Sequence, residues 1–375
     1  MKELIQQLVE TYGPSGHEGR VRDFVSSQIE ELADDVRCDA LGNLIATRHG
    51  PQAAQKVMLS AHMDEIGIIV SYVDEKGFCR FQPVGGVGAL NLRGGRVLFA
   101  GGTIGAIGLE KLEDPSKLPS LDKFYVDVGA SSKEECPVHV GDVACFLRPF
   151  EDSGDRLIAK AFDDRIGCAV QIAVMRELKD TPHEVSFVFS VQEELGLRGA
   201  QTSAYGLDPD LGIAVDVTRT GDTPEAPPMA MELGKGPAIK VKDSGMIAHP
   251  AVKELLVRTA EAHTIPYQLE VLERGTTDAR VIQTSRAGVP TGCLSIPCRY
   301  VHSPSEMVDY RDVLNAVKLL TTLLSGPIEL KKGMLPWLDI VRFHLIPPPN
   351  PLLLSAAERR RGPRGRGEVE FVLFI

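Results

Sequence analysis

Val185-Ser186-Phe187-Val188-Phe189-Ser190-Val191-Gln192-Glu193-Glu194 is an apolar run that ends in two adjacent carboxylates. A run this short and this apolar reads as a strand buried on both faces, as in parallel sheets. The pattern recurs along the chain. Val57 to Ala61 runs into His62, Leu211 to Val215 into Asp216, and Cys293 to Val301 leads into His302. Helical patterns cover Ile166 to Leu178, Val252 to Ala262 and Val308 to Leu324, with Asp163 opening the first. Strands alternating with helices predict an α/β domain with a mixed, mostly parallel sheet covered on both faces. Ligands of such sheets bind beyond the carboxyl ends of the strands. Four strand ends and one helix start can therefore meet in one crevice.

Outward from that core, Leu4, Ile5, Leu8 and Val9 form the apolar face of a first helix, stopped by Tyr12-Gly13-Pro14. Ser15-x-x-Glu18 reads as a capping box for a second helix carrying Val21, Phe24, Val25, Ile29 and Leu32. Between Ile66 and Arg148 the character changes to short runs, such as Arg96 to Phe99 and Val143 to Leu147, separated by glycine pairs. This predicts a small all-β, barrel-like module. The glycines follow no strand–GxGxxG–helix or Walker pattern and read as turns. The expected division is 1–66 and 153–330 as two parts of one catalytic domain, with 67–152 as the inserted β domain. The last segment, 331–375, departs from globular patterning: Pro347-Pro348-Pro349 and the basic stretch Glu358 to Arg366 predict a solvated or disordered tail.

Composition excludes several classes. The chain has 375 residues, 43% hydrophobic and 25% charged, the balance of a globular protein. Its formal net charge of -10 argues against nucleic acid as a partner, which requires a concentrated positive surface. No apolar stretch approaches the roughly 20 residues that span a bilayer, so no membrane partner is expected. Seven scattered cysteines without a C-x-x-C pair predict free thiols rather than a disulfide framework, and hence a soluble, cytoplasmic protein.

Taken singly, each candidate residue has an ordinary structural reading. Asp163-Asp164 suits a helix N-terminus, Glu193-Glu194 a solvated loop, Asp216 a cap, and His62 or His302 a core histidine. Together they are another matter, because several carboxylates buried in one crevice are costly without cations. Two histidines (His62, His302) and three carboxylates (Asp163, Glu194, Asp216) suit a pair of divalent ions, zinc or cobalt before magnesium or calcium. A shared carboxylate would hold such ions roughly 3.5–4 Å apart. Asp64 can accept the second N–H of His62 and so orient its ring. Glu193 is the spare carboxylate, able to carry a proton from an attacking water to a leaving amine. Thr277 and Asp278, in Gly275-Thr276-Thr277-Asp278, can help shape the substrate end of the cleft.

His62-x-Asp64-Glu65, Ala161-Phe162-Asp163-Asp164-Arg165, Gln192-Glu193-Glu194-Leu195-Gly196, Asp216 and Arg299-Tyr300-Val301-His302-Ser303-Pro304 resemble the motifs of the TET-type (tetrahedral) metallo-aminopeptidases. That family includes glutamyl, leucyl and lysyl aminopeptidases and members often mislabelled as cellulase M. The resemblance covers about residues 1 to 330. It implies a phosphorylase/hydrolase-like zinc-peptidase fold and two divalent metal ions per subunit. Asp163 would bridge them, His62 and Asp216 would complete one site, and Glu194 and His302 the other, with Glu193 as base. It also implies a non-proline cis bond after Asp163, short peptide substrates, and homo-oligomers in which dimers build a dodecamer through the β domain. About a hundred residues between His62 and Asp163 accommodate that domain, whereas the related carboxypeptidase and deacylase clan places its extra domain later.

Another two-metal amide hydrolase, a deacylase or carboxypeptidase, is the nearest rival reading. A glycosidase uses two carboxylates across a sugar and no metal. The aromatic content of 6%, with Trp337 as the single tryptophan, offers few stacking platforms for sugar rings.

Overall fold

The computed structural model describes residues 1–51, 54–114 and 116–330; the tail predicted for 331–375 lies outside the described residues. The chain opens with α1 (Lys2–Glu10), α2 (Gly19–Ile29), β1 (Asp35–Cys38), β2 (Leu44–His49) and β3 (Lys56–His62). It then leaves the main sheet for β4 (Gly67–Val73), β5 (Cys79–Val84), β6 (Arg96–Phe99), β7 (Ile104–Leu109), β8 (Phe124–Asp127) and β9 (Val143–Phe146). It returns through β10 (Glu151–Ser153), β11 (Arg156–Ala159), α3 (Phe162–Glu177), β12 (Glu184–Ser190), α4 (Arg198–Leu207) and β13 (Leu211–Thr218). The remainder is β14 (Ala238–Lys242), α5 (Pro250–Ala262), β15 (Gln268–Val271), α6 (Ala279–Gln283), β16 (Thr291–Arg299), β17 (Glu306–Asp309) and α7 (Tyr310–Ser325).

The main sheet runs β1-β2-β12-β3-β13-β16-β17-β11-β10, with β14 and β15 attached beside β16. Its centre is parallel: β3 pairs with both β12 and β13, and β13 with β16. Antiparallel strands flank it, so the sheet is mixed as expected. Val185, Phe187, Val188 and Phe189 on β12 are fully buried, which explains why the run carries apolar residues at both parities. Burying a side chain of this size contributes about 1.5–3 kcal/mol. Register then aligns the strand ends, with Ser190 beside His62 and Asp216 beside Ser295. The inserted strands close into a barrel in the order β4-β5-β8-β7-β6-β9, around a core that includes Ile68, Val70, Phe81, Val97, Phe124 and Val126.

Two expectations change. The Ser15–Glu18 capping box does not form, and α2 has no side-chain cap. Ser15 Oγ instead donates to Asp64 at 2.6 Å, and Glu18 Oε1 accepts from the N–H groups of Gly16 and Gln192. Both residues serve the loops around the site. Val308, expected at the start of the last helix, lies in β17, because Glu306–Asp309 completes a ladder with β11 and β16; the helix begins at Tyr310 under an Asp309 cap.

Arg165, in the first turn of α3, is fully buried. Its guanidinium donates to the carbonyls of Met63 (2.5 Å), Leu8 (2.6 Å), Thr11 (2.9 Å) and Gly13 (3.1 Å), and meets Glu65 at 3.2 Å. It thereby ties the end of α1 to the segment after β3. Arg165→Ala is expected to destabilise the fold by about 3–5 kcal/mol, because it leaves Glu65 and several carbonyls buried with fewer partners. Denaturant unfolding measures this.

Candidate metal centre

Every predicted ligand arrives at the end of the parallel strands from a different segment. His62 is the last residue of β3, and Glu193-Glu194 follow β12 after the left-handed Gln192 (φ 54°). Asp216 lies inside β13, two residues before its end. His302 follows β16 in the left-handed region (φ 64°), a backbone state that costs a non-glycine residue about 1–3 kcal/mol and persists where the surroundings enforce it. The peptide bond between Asp163 and Asp164 is cis.

Asp163 stands at the centre. One carboxylate oxygen lies 3.0 Å from His62 Nε2, and the other lies 3.1 Å from His302 Nε2. His302 Nε2 is also 3.1 Å from Glu194 Oε1. Potential ligand atoms of Asp163, Glu194 and His302 all fall within 4.8 Å of one another, and the same holds for His62, Asp164 and Asp216 and for His62, Glu193 and Glu194. The predicted residues thus come together, and Asp164 joins them. Asp164 also has local work: its oxygens accept from the N–H of Gly167 (3.1 Å) and of His62 (3.1 Å). Half of the helix-terminus reading therefore holds, carried by Asp164 and not by Asp163.

Asp64 faces His62 from behind, with Oδ1 3.4 Å from Nδ1 and its backbone carbonyl at 3.1 Å. Its carboxylate also accepts from the N–H groups of Glu193 (3.0 Å) and Glu194 (3.1 Å). One buried acid therefore fixes both the imidazole and the acidic loop. Asp278 does not cap α6 with its side chain. Its Oδ2 accepts from Ser60 (2.7 Å) and Ser190 (2.6 Å), while the buried Oδ1 has no partner among the described residues. Thr277 Oγ1 accepts the N–H of Ala279 at 3.3 Å, and the side chain is buried rather than open to a cleft.

Sequence reasoning missed two acids here. Glu65 is buried between Lys160 (2.6 Å) and Arg165. Glu306 accepts from the backbone N–H groups of Asp163 and His302. Glu65 stood in a quoted motif, and Glu306 lies two residues past another, but neither partner set is visible in linear order. The inserted barrel also reaches the centre. Gly85 and Gly86 pack against Glu194 and the His302 ring, where a β-carbon on Gly86 would collide with the imidazole, and Asn91 Nδ2 donates to the His302 carbonyl at 3.2 Å.

Electrostatics follow from this crowding. Burial, then the charge of Asp163, raises Asp216 well above the carboxylate range; burial, then Asp216, does the same to Asp164. Burial raises Glu193 well above it too, helped by the charges of Asp216, Glu194 and Asp278. Asp163 goes the other way: burial opposes ionisation, but hydrogen bonds from His302 and His62 hold its carboxyl below the usual range. Burial would keep the imidazoles neutral, yet contacts with Asp163 and Glu194 push His302 up to about 11, and Asp163 and Asp64 raise His62. Around the ionised Asp163, the crowding thus favours protons on His62, His302, Asp164, Asp216 and Glu193. Divalent cations are the natural substitute for those protons, and the imidazole and carboxylate donors fit borderline ions.

A mixed α/β sheet with an inserted barrel and this donor set at its strand ends defines a metallohydrolase. Residues 42–319 match the model of the M42 glutamyl aminopeptidase family, and the chain belongs to that family. It is a peptidase, a hydrolase of peptide bonds, of a class that uses divalent metals. A candidate aminopeptidase of Acetivibrio thermocellus is 50% identical over 323 residues, covering 85% of this chain and 97% of the relative. The structure of an aminopeptidase from the archaeon Desulfurococcus kamchatkensis superposes with a TM-score of 0.84 at 42% identity, covering 89% of this chain and 98% of that one. The TET1 peptidase of Pyrococcus horikoshii, which can assemble into a tetrahedron or a large octahedral shell, gives 0.79 at 31% identity, covering 87% and 99%. Among the described residues no helix is long and apolar enough to cross a membrane.

Proposed function

We propose that the chain removes N-terminal residues from short peptides with two divalent ions, zinc or cobalt, held by His62, Asp163, Glu194, Asp216 and His302. The observation that carries this reading is the placement of Asp163, whose two carboxylate oxygens each face a different histidine. In this reading Asp163 would be shared by the two ions, His62 and Asp216 would hold one of them, and Glu194 and His302 the other. When bound, the ions polarise the scissile carbonyl and lower the pKa of the attacking water. Glu193 takes the proton from that water and delivers it to the leaving amine. Asp64 keeps the His62 ring and the Glu193-Glu194 backbone in register. The excess of carboxylates favours a substrate with a free ammonium group; Thr277 and Asp278 are both buried and would shape the substrate end of the site only from behind its lining.

Residues 67–152 are proposed as a dimerisation domain, with dimers assembling to a dodecamer. All seven cysteines are free, which supports a cytoplasmic location. The test is a panel of aminoacyl fluorogenic substrates on metal-stripped protein reloaded with zinc, cobalt or manganese, run beside N-terminally blocked counterparts. Free-amine substrates are expected to turn over and blocked ones to fail. Rapid hydrolysis of blocked peptides with none of the free ones would instead indicate a deacylase or carboxypeptidase-like enzyme.

A further inference from the structure

We propose that Glu306 is a positioning residue of the metal centre, whose carboxylate clamps the backbones carrying Asp163 and His302 into one unit. The proposal rests on the ligand assignment above. Glu306 is 2% exposed, at the first position of β17. Its Oε2 accepts the N–H of Asp163 at 3.0 Å, and its Oε1 accepts the N–H of His302 at 2.9 Å. Among the described residues it makes no ion pair with a lysine or arginine. A buried carboxylate without a cation is costly unless both oxygens are engaged, and here each oxygen engages the main chain of a different ligand.

The ladder fixes the base of the clamp: Ala159↔Glu306 is a register pair of β11 and β17, so Glu306 stands beside the end of β11, the strand whose continuation carries the chain to Asp163. The two backbones it joins both depart from ordinary conformation. Ala161 (φ 60°) turns the chain before Asp163, and Tyr300 (φ 60°) and His302 (φ 64°) turn it on the other side. His302 is held a second time through its carbonyl, which accepts from Asn91 Nδ2 at 3.2 Å. Only a carboxylate presents an acceptor to both N–H groups. The amide of glutamine would offer one acceptor and set its NH₂ against the second N–H.

The experiment measures metal affinity of the purified full-length protein by competition with a graded chelator, using zinc as the probe, alongside kcat and KM at saturating zinc. Glu306→Gln is expected to weaken zinc retention by about 10–100-fold, the usual effect of removing a group that holds a ligand, and to lower kcat more than KM. Glu306→Asp keeps two acceptors on a shorter arm and is expected to fall between wild type and Glu306→Gln; it also serves if the glutamine variant does not fold. Wild-type zinc affinity and kcat in Glu306→Gln would overturn the clamp. So would a fall in thermal stability equal in zinc-loaded and zinc-free protein, with affinity unchanged, which marks a purely structural acid. His302→Ala separates the two readings: unchanged zinc affinity in that variant removes the ligand assignment itself, whatever Glu306 does.

Discussion

Glu193→Gln is expected to lower kcat by about 10²–10⁴-fold, the range that a positioned general base supplies, while zinc content stays at the wild-type level. The substitution preserves shape and removes only the ability to take a proton. It leaves the backbone N–H of residue 193 on Asp64, so the loop keeps its anchor. The environment already suits a base that must later act as an acid: burial and the charges of Asp216, Glu194 and Asp278 raise the affinity of Glu193 for a proton. Steady-state kinetics with metal analysis decides the matter. An unchanged kcat would sink the assignment of Glu193 as base. Lost zinc together with lost turnover would make Glu193 a ligand, a role its closeness to His62 and Glu194 makes geometrically accessible.

Stripping the metal is expected to abolish turnover and to destabilise the protein, with the destabilisation growing from about pH 5 to pH 8. In the ion-free molecule Asp164, Asp216, Glu193 and Glu306 all have pKa values raised by burial. Unfolded chains release these protons near pH 4, whereas the folded chain retains them. Stability from these groups is therefore complete below about pH 4 and is lost as pH rises toward the raised values. His302, pushed up to about 11, acts in the same direction: its contribution is full below the unfolded value of about 6.5 and declines as pH rises toward 11. Asp163 has the opposite sign, but its lowered pKa matters only below about pH 4. Cations that bind the native state offset the loss, by about 4 kcal/mol at a free concentration 1,000 times Kd. Melting curves across pH 5–8, with and without chelator, measure both effects. A stripped protein as stable and as active as the loaded one would refute the two-metal reading.

Much of this architecture was legible because buried parallel strands write themselves as short apolar runs, and the residue after each run is conspicuous. His62, Glu193-Glu194, Asp216 and His302 stood out for that reason, and the structure gathers them around Asp163. The edge strands were not legible. β1 is exposed along its whole length, so no alternation marks it, and α4 carries glycines at Gly199 and Gly206 that blur its helical pattern. The supports of the site were hidden for a different reason. Ser15 with Asp64, Glu65 with Lys160, and Glu306 with Asp163 are pairings between residues far apart in the chain, and no spacing rule announces them. Ser15 and Glu18 look like a helix cap in the sequence because a cap and a loop anchor use the same side chains.

The donors reach the centre from segments that begin at His62 and end at His302, near the close of the described chain. During synthesis, which proceeds from the N-terminus, the barrel can close while Asp163 and everything after it are still absent. A growing chain therefore carries no complete set of donors until its last strands have emerged. A chain cut short before His302 would lack part of the proposed donor set and is expected to show no peptidase activity.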